Sequence, residues 1–196
     1  MNLHTIPQSA GKDIMNRAEA DALVRQHTKN EALIKHMYAV EAAMRAYARK
    51  YGEDEEKWGI TGLLHDFDYE MYPTAPDHPL KGSEILKGLG YPDDVREAIL
   101  GHATYTGVTR SSMMAKTLYA CDELCGFVVA CALVRPNRIA DLEASSVKKK
   151  LKDKAFARNV NREDIDLGVK EMSLDLTEHI TFVIAALKAI STELGV

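Results

Sequence analysis

The chain has 196 residues, of which 46% are hydrophobic and 28% are charged, and its formal net charge is -4. This composition is typical of a globular protein, and the length suits a single domain. A net negative charge argues against the electrostatic attraction that binds long nucleic acids. A phosphorylated ligand would therefore need local positive charge or a metal ion in its binding site.

The first residues, the length of the apolar runs and the cysteines predict a cytoplasmic protein without membrane association. Residues 1–5 lack the basic region and the apolar core of a secretory signal, and the longest apolar run, residues 127–134, is far shorter than the ~20 residues needed to cross a bilayer. Cys121, Cys125 and Cys131 fall in one short stretch, which is not a disulfide framework. We expect reduced thiols, and we leave homo-oligomerisation open.

The apolar periodicity predicts a single all-α domain over residues 16–196, after a short polar lead-in over residues 1–15. Helices are predicted from Asn16, from a capping box at Thr28–Glu31 to Gly52, from Asp54 to Leu64, from Leu80 to Gly88, from Pro92 to His102, from Ser111 or Ser112 to about Arg135, and from about Asp164 to Leu194. A proline-rich irregular segment, Tyr69–His78, and a basic amphipathic stretch, Lys148–Lys154, lie between them. Strand signals are nearly absent, so a helical bundle is predicted.

The pair His65–Asp66 directly follows the apolar residues Gly62, Leu63 and Leu64. A buried polar group without a partner costs roughly 2–7 kcal/mol, so the pair must be satisfied by internal hydrogen bonds or by a metal ion. Alone, a His-Asp dipeptide is compatible with a purely structural pair at a helix end. The other polar residues in apolar helical surfaces decide between these two interpretations.

Six polar residues interrupt apolar helical surfaces, and they come from five or six separate elements: His36, His65, Asp66, His78, His102 and Asp122. Side chains on facing helices converge in the core of a bundle, which is how bundles build metal sites. Imidazole nitrogens and carboxylate oxygens together suit Mn, Fe, Co, Ni or Zn, and Mg less well as the number of histidines rises. The pattern predicts one or two divalent metal ions.

Over about residues 30–135 the chain resembles the HD superfamily of metal-dependent phosphohydrolases. The residues that carry the resemblance are His36, the pair His65–Asp66 and Asp122, in that order. The segment His78–Leu86 resembles the His-Pro-x-x-Gly helix of the HDIG and HD-GYP branches. The resemblance implies that His36, His65, Asp66 and Asp122 are the core metal ligands, that Asp66 bridges two ions, and that His78 and His102 complete a second metal position.

The chain departs from both branches at two places. Asp68 and Tyr69 stand where HDIG proteins carry glycine and then lysine, so a lysine that meets a phosphate is missing there. His102 stands alone where HD-GYP proteins have a paired His-His-Glu, and no Gly-Tyr-Pro follows Gly107. The resemblance therefore argues against hydrolysis of cyclic di-GMP and leaves one or two ions open.

The resulting hypothesis is a phosphohydrolase that attacks a small, nucleotide-like phosphoester with a metal-activated water. Asp66 and Asp68 are the predicted catalytic carboxylates, Asp68 by orienting the water or binding an extra ion. Tyr69 and Tyr72 are predicted to stack on a base. Lys149 and Lys150 of the basic stretch are predicted to attract the phosphate, although such a run is usually the solvated face of a helix.

Two alternatives keep the fold and change the function. Some HD proteins hold a mixed-valence di-iron pair and oxidise their substrate with oxygen. Others are non-catalytic modules that sense a nucleotide or bind a partner, and these would carry incomplete ligand sets. The complete set in this chain favours an enzyme.

Overall fold

The computed structural model describes residues 16–196, and the predicted lead-in over residues 1–15 lies outside the described residues. Within residues 16–196 the chain forms helices and no strand, which confirms the all-α prediction. The helices are α1 Arg17–His27, α2 Glu31–Tyr51, α3 Glu55–Leu64, α4 Asp77–Gly88, α5 Asp93–His102, α6 Met113–Leu133, α7 Ala144–Leu151, α8 Arg162–Glu171, α9 Leu176–Lys188 and α10 Ser191–Leu194. None of these described helices is long and apolar enough to span a membrane.

The predicted helix starts correspond to real caps. The side chains of Asn16, Asp54 and Ser112 accept hydrogen bonds from the first-turn amides of α1, α3 and α6. Such caps satisfy amides that have no partner within the helix and contribute about 1 kcal/mol each. Gly52 ends α2 with a φ of 71°, a left-handed conformation that glycine adopts without strain.

The predicted capping box at Thr28 is wrong. Asn30 caps α2, because its side chain accepts from the amides of Ala32 and Leu33. Thr28 instead ends α1, and its buried hydroxyl donates to the carbonyl oxygen of Phe67 at 2.9 Å. A fully buried hydroxyl without a partner is costly, so this bond ties the end of α1 to the turn that follows α3.

The single C-terminal helix predicted from about Asp164 to Leu194 is also wrong, because the chain forms α8, α9 and α10 there. Ser173 has a φ of 54°, which breaks the helical path. Asp175 then caps α9 by accepting from the amides of Thr177 and Glu178. The apolar periodicity continues across this break, so the pattern alone did not reveal it.

Helices α2, α3, α5 and α6 pack together and form the centre of the bundle. Helices α2 and α3 approach each other closely at Gly62, where an added Cβ would lie 2.9 Å from Met44 Cγ and 3.0 Å from the Val40 carbonyl oxygen. Only glycine fits at that distance. The close packing brings the end of α3, with His65 and Asp66, against the face of α2 that carries His36.

Candidate metal centre

The six predicted ligands converge at one place in the bundle. His36 comes from the second turn of α2, Asp122 from the middle of α6 and His102 from the last position of α5. His65 and Asp66 directly follow α3. The sixth, His78, has an extended backbone (φ -79°, ψ 136°) at the entry to α4.

Two of the imidazoles are fixed by backbone carbonyls. His65 Nδ1 lies 2.7 Å from the carbonyl oxygen of Gly62, and His102 Nδ1 lies 2.5 Å from that of Ile99. A carbonyl only accepts, so Nδ1 carries the hydrogen in both rings. The Nε2 atoms therefore face the centre, and in the neutral ring they hold a free lone pair there, as metal-ligating histidines do.

The third imidazole, His78, is fixed by a carboxylate. Its Nδ1 lies 2.8 Å from Asp68 Oδ1, and Asp68 Oδ2 accepts from the amide of Gly82 at 2.8 Å. Asp68 is fully buried, and an added Cβ at Gly82 would lie 2.6 Å from its Cγ. Asp68 thus holds His78 with one oxygen and Gly82 with the other, and its predicted role of orienting a water or binding an extra ion stays a prediction.

Asp66 Oδ1, His78 Nε2 and His102 Nε2 form a nearly regular triangle. The oxygen lies 3.2 Å from His78 Nε2 and 3.3 Å from His102 Nε2, and the two nitrogens lie 3.2 Å apart. Two ligand atoms that are each about 2.1 Å from one ion, at angles of about 90–110°, lie about 3.0–3.4 Å apart. Three electron-pair donors at these distances fit one shared cation.

The other oxygen of Asp66 faces a second group of ligands. Asp66 Oδ2 lies 3.4 Å from His65 Nε2 and 3.8 Å from His36 Nε2. Asp122 Oδ1 lies 3.3 Å and 3.0 Å from the same two nitrogens. His65 Nε2 is completely buried and, despite these neighbours, makes no hydrogen bond of good geometry within residues 16–196. A buried polar atom without a hydrogen bond is rare and points to a ligand.

The charges of the centre show how strongly it attracts cations. Burial raises the pKa of the carboxyls of Asp66 and Asp122, but the neighbouring imidazoles outweigh it and hold both pKa values well below the usual range. Burial lowers the pKa of His65, but the carboxylates of Asp66 and Asp122 raise it well above its ordinary value. For His78, burial is outweighed by hydrogen bonds to Asp66 and Asp68, and the pKa rises to about 9. Two partly buried carboxylates thus favour the protonated form of the rings where a divalent ion would otherwise supply the positive charge.

The donor set therefore fits two divalent ions that share Asp66. His36, His65, Asp66 and Asp122 would hold one ion, and Asp66, His78 and His102 would hold the other. Four imidazole nitrogens and two carboxylates suit Mn, Fe, Co, Ni or Zn better than Mg. The structure brings together all six residues predicted as ligands, and the identity of the metal stays a prediction.

The centre opens into a cavity of about 530 Å³. Besides the ligands, its polar and aromatic walls are formed by Tyr69, Thr104, Tyr105, Tyr119, Glu123, Asn159, Asn161 and Asp164. Burial, and then the charge of Asp122, raises the pKa of Glu123 to about 7. The cavity is thus a pocket of small-molecule size, which surveys place at about 300–1,000 Å³.

Of the four residues predicted to bind the substrate, one lines the cavity and three do not. Tyr69 lines the cavity, and its ring meets the His78 ring edge-on with centroids 5.1 Å apart. Tyr72 does not line the cavity, and its amide donates to the carbonyl oxygen of Asp68 at 2.9 Å. Lys149 and Lys150 lie on α7 and line a different surface pocket, which contradicts the prediction that the basic stretch borders the site.

Several wall residues were missed by the sequence reasoning. Tyr119 precedes Asp122 by three residues on α6, and this helical spacing puts both side chains on one face. That signal was present in the sequence. Asn159, Asn161 and Asp164 come from the segment before and within α8, far along the chain, and only the packing of α8 against α6 places them at the cavity.

Comparison with known proteins agrees with this geometry. The model of the HD domain family matches residues 33–127, a range that contains all six convergent residues. No curated protein and no solved structure matches the chain. Residues 33–127 are therefore a domain of the HD superfamily, a superfamily of metal-dependent hydrolases.

Proposed function

We propose that this chain is a phosphohydrolase that uses two metal ions to cleave a small phosphoester. The observation that carries the proposal is the division of Asp66, whose Oδ1 faces His78 and His102 while its Oδ2 faces His36 and His65. Paired ions about 3.5–4 Å apart are typical of sites that act on both the attacking and the leaving oxygen at phosphorus. A carboxylate that bridges two ligand groups is the protein feature that such a pair requires.

The chain's own residues hold and shield this centre. The rings of His65, His78 and His102 are oriented by their Nδ1 contacts, so little rearrangement of the rings is needed when metal ions and substrate bind. Tyr69 covers the edge of His78, and Tyr105 donates from its hydroxyl to the His78 carbonyl at 2.5 Å. When bound, divalent ions lower the pKa of a coordinated water from about 15.7 toward about 7 and thus supply a strong nucleophile at neutral pH.

The test is elemental analysis of the purified protein combined with an assay on aryl phosphomonoesters and phosphodiesters. Wild type is expected to hold up to two Mn, Fe, Co, Ni or Zn ions per chain and to hydrolyse one of the two ester classes. Asp66→Ala is expected to lose both ions and the activity, because it removes the shared ligand. The control is Asp54→Asn, because asparagine can still cap the start of α3, at the opposite end of that helix from His65 and Asp66. Wild type that binds no metal and is inactive with every added ion would refute the proposal.

A second candidate, oxidation of the substrate by a di-iron pair with oxygen, is favoured by one observation. Four imidazoles in a six-residue set suit a redox-active ion such as iron better than a hard ion such as magnesium. Purified protein that contains iron and consumes oxygen in a substrate-dependent way would support it. Equal hydrolysis with and without oxygen would support the phosphohydrolase.

A further inference from the structure

The wall of the cavity is acidic and aromatic, and it carries no cation. Among the described residues that line the cavity there is no lysine and no arginine. Beyond the metal ligands, its charged members are Glu123 and Asp164. Positive charge for an anionic ligand can therefore come only from the metal centre at one end of the cavity, where the orphaned Nε2 of buried His65 already points to a bound cation.

Glu123 lines this cavity, and one of its two carboxylate oxygens has no hydrogen-bond partner among the described residues. Its Oε2 accepts from the amide of Asn161 at 3.1 Å, and its Oε1 has no hydrogen-bond partner within residues 16–196. Asp164 differs, because one of its oxygens accepts from Tyr119 Oη at 2.7 Å and the other from Asn161 Nδ2 at 2.8 Å. Of these two acidic side chains, Glu123 is thus the one with an oxygen available to a ligand.

The nearest arginine cannot supply the missing positive charge. Arg110 stacks on the Tyr119 ring with Cζ 3.7 Å from its centroid, but it does not line the cavity. Glu171 accepts from Arg110 Nε at 2.8 Å and from Nη2 at 2.6 Å, and this two-point pair uses the guanidinium. A second phosphoryl group on a substrate would therefore find no lysine or arginine among the described residues that line the cavity.

The aromatic walls suit an organic cation. Tyr69 and Tyr105 line the cavity and are 38% and 53% exposed, so their rings are accessible to a ligand. Ring faces attract ammonium groups, and sites built from aromatic rings bind organic ammonium ligands. The same walls offer hydroxyl and amide groups to a second anionic group, but no lysine or arginine among the described residues.

We propose that the substrate has a single phosphoryl group at one end and an ammonium group at the other, and that Glu123 binds the ammonium group. This proposal rests on the proposed function, since the phosphoryl end is assigned to the metal centre. It makes Glu123 a residue that determines specificity. It also predicts that nucleotides with several phosphates are poor substrates.

The experiment compares three phosphomonoesters of similar size on the metal-loaded protein: 2-aminoethyl phosphate, propyl phosphate and carboxymethyl phosphate. An ammonium–carboxylate hydrogen bond is expected to give 2-aminoethyl phosphate a kcat/KM about 10–100 times that of propyl phosphate. Carboxymethyl phosphate is expected to be the poorest of the three. Equal values for the ammonium and the propyl compound would overturn the proposal.

Variants assign the preference to Glu123. Glu123→Gln is expected to bring the ratio of the two kcat/KM values close to one, and Glu123→Asp is expected to retain a preference. Glu163→Gln removes the same charge from an exposed position that does not line the cavity, and it is expected to leave the ratio unchanged. A ratio in Glu123→Gln equal to that in Glu163→Gln would contradict the proposal.

Calorimetric binding of 2-aminoethyl phosphate and propyl phosphate separates this proposal from the proposed function. Hydrolysis of all three esters without an ammonium preference would overturn the substrate proposal alone. Binding that prefers the ammonium compound and depends on Glu123, without hydrolysis of these esters or of the aryl phosphomonoesters and phosphodiesters, would overturn the proposed function and support the recognition by Glu123. Circular dichroism of each variant checks that it is folded.

Discussion

The contact between Asp68 and His78 allows a sharp prediction about the second ion. Asp68 Oδ1 lies 2.8 Å from His78 Nδ1 and Asp68 Oδ2 accepts from Gly82 at 2.8 Å, so both oxygens face hydrogen-bond donors. Asp68→Asn keeps the shape but replaces one acceptor with a donor. The new NH₂ group must therefore face either the amide of Gly82 or Nδ1 of His78.

Each orientation has a cost. An NH₂ group against the Gly82 amide leaves two buried donors unpaired, at about 1–3 kcal/mol. An NH₂ group against His78 Nδ1 moves the ring hydrogen to Nε2, which removes the lone pair that faces Asp66 and His102. Loss of such a supporting contact typically lowers metal affinity about 10–100-fold, or about 1.4–2.7 kcal/mol.

The assay is a calorimetric titration of metal-free protein with Mn or Co, followed by elemental analysis. Asp68→Asn is expected to bind the ion at His36, His65 and Asp122 as wild type does, and to bind the ion at His78 and His102 about 10–100 times more weakly. The control is Asp175→Asn, which removes one charge from the residue that caps α9. Two unchanged affinities, or equal weakening of both, would refute this reasoning.

Three further predictions concern protons, metal and packing. Affinity for the ion at His78 and His102 is expected to rise about tenfold for each unit by which the pH approaches the His78 pKa of about 9 from below, because the ion must displace the proton held there. Calorimetry in buffers of different ionisation enthalpy would measure the proton release. A pH-independent affinity would contradict this. Removal of the metal by a chelator is expected to lower Tm by about 5–11 °C relative to protein in a free metal concentration of about 100 times Kd. Binding at that concentration contributes about 2.7 kcal/mol to the free energy of unfolding. An unchanged Tm would argue against metal in the folded protein. Gly62→Ala is expected to destabilise the fold by about 1–3 kcal/mol in urea unfolding, because its Cβ would meet Met44 and Val40, whereas Gly88→Ala, with nothing within 4 Å, is the control and is expected to be neutral or slightly stabilising. Equal stabilities of the two variants would contradict the packing argument.

The local features of this protein could be predicted from the sequence. Asn16, Asp54 and Ser112 cap helices where the pattern placed them, and Gly52 ends α2 as expected. Caps and apolar periodicity act over one or two turns, so neighbouring residues determine them. The capping box predicted at Thr28 is wrong because the Thr28 hydroxyl donates to the carbonyl oxygen of Phe67, 39 residues away along the chain.

The ligand set could also be read from the sequence, whereas its arrangement could not. The resemblance to the HD superfamily singled out His36, His65, Asp66 and Asp122 as candidate ligands, and the structure brings them together. Only the packing of α2, α3, α5 and α6 divides Asp66 between two groups of ligands. Spacing along the chain does not determine which oxygen of a carboxylate faces which helix.

The tertiary structure alone decided the walls of the cavity and the role of Asp68. Lys149 and Lys150 looked suitable for a phosphate in the sequence, but α7 carries them to another surface. Asn161 reaches the cavity because α8 packs on α6, and Asp68 turns inward because α4 passes over it at Gly82. Contacts between residues that are distant along the chain depend on the relative positions of whole helices, which local sequence does not specify.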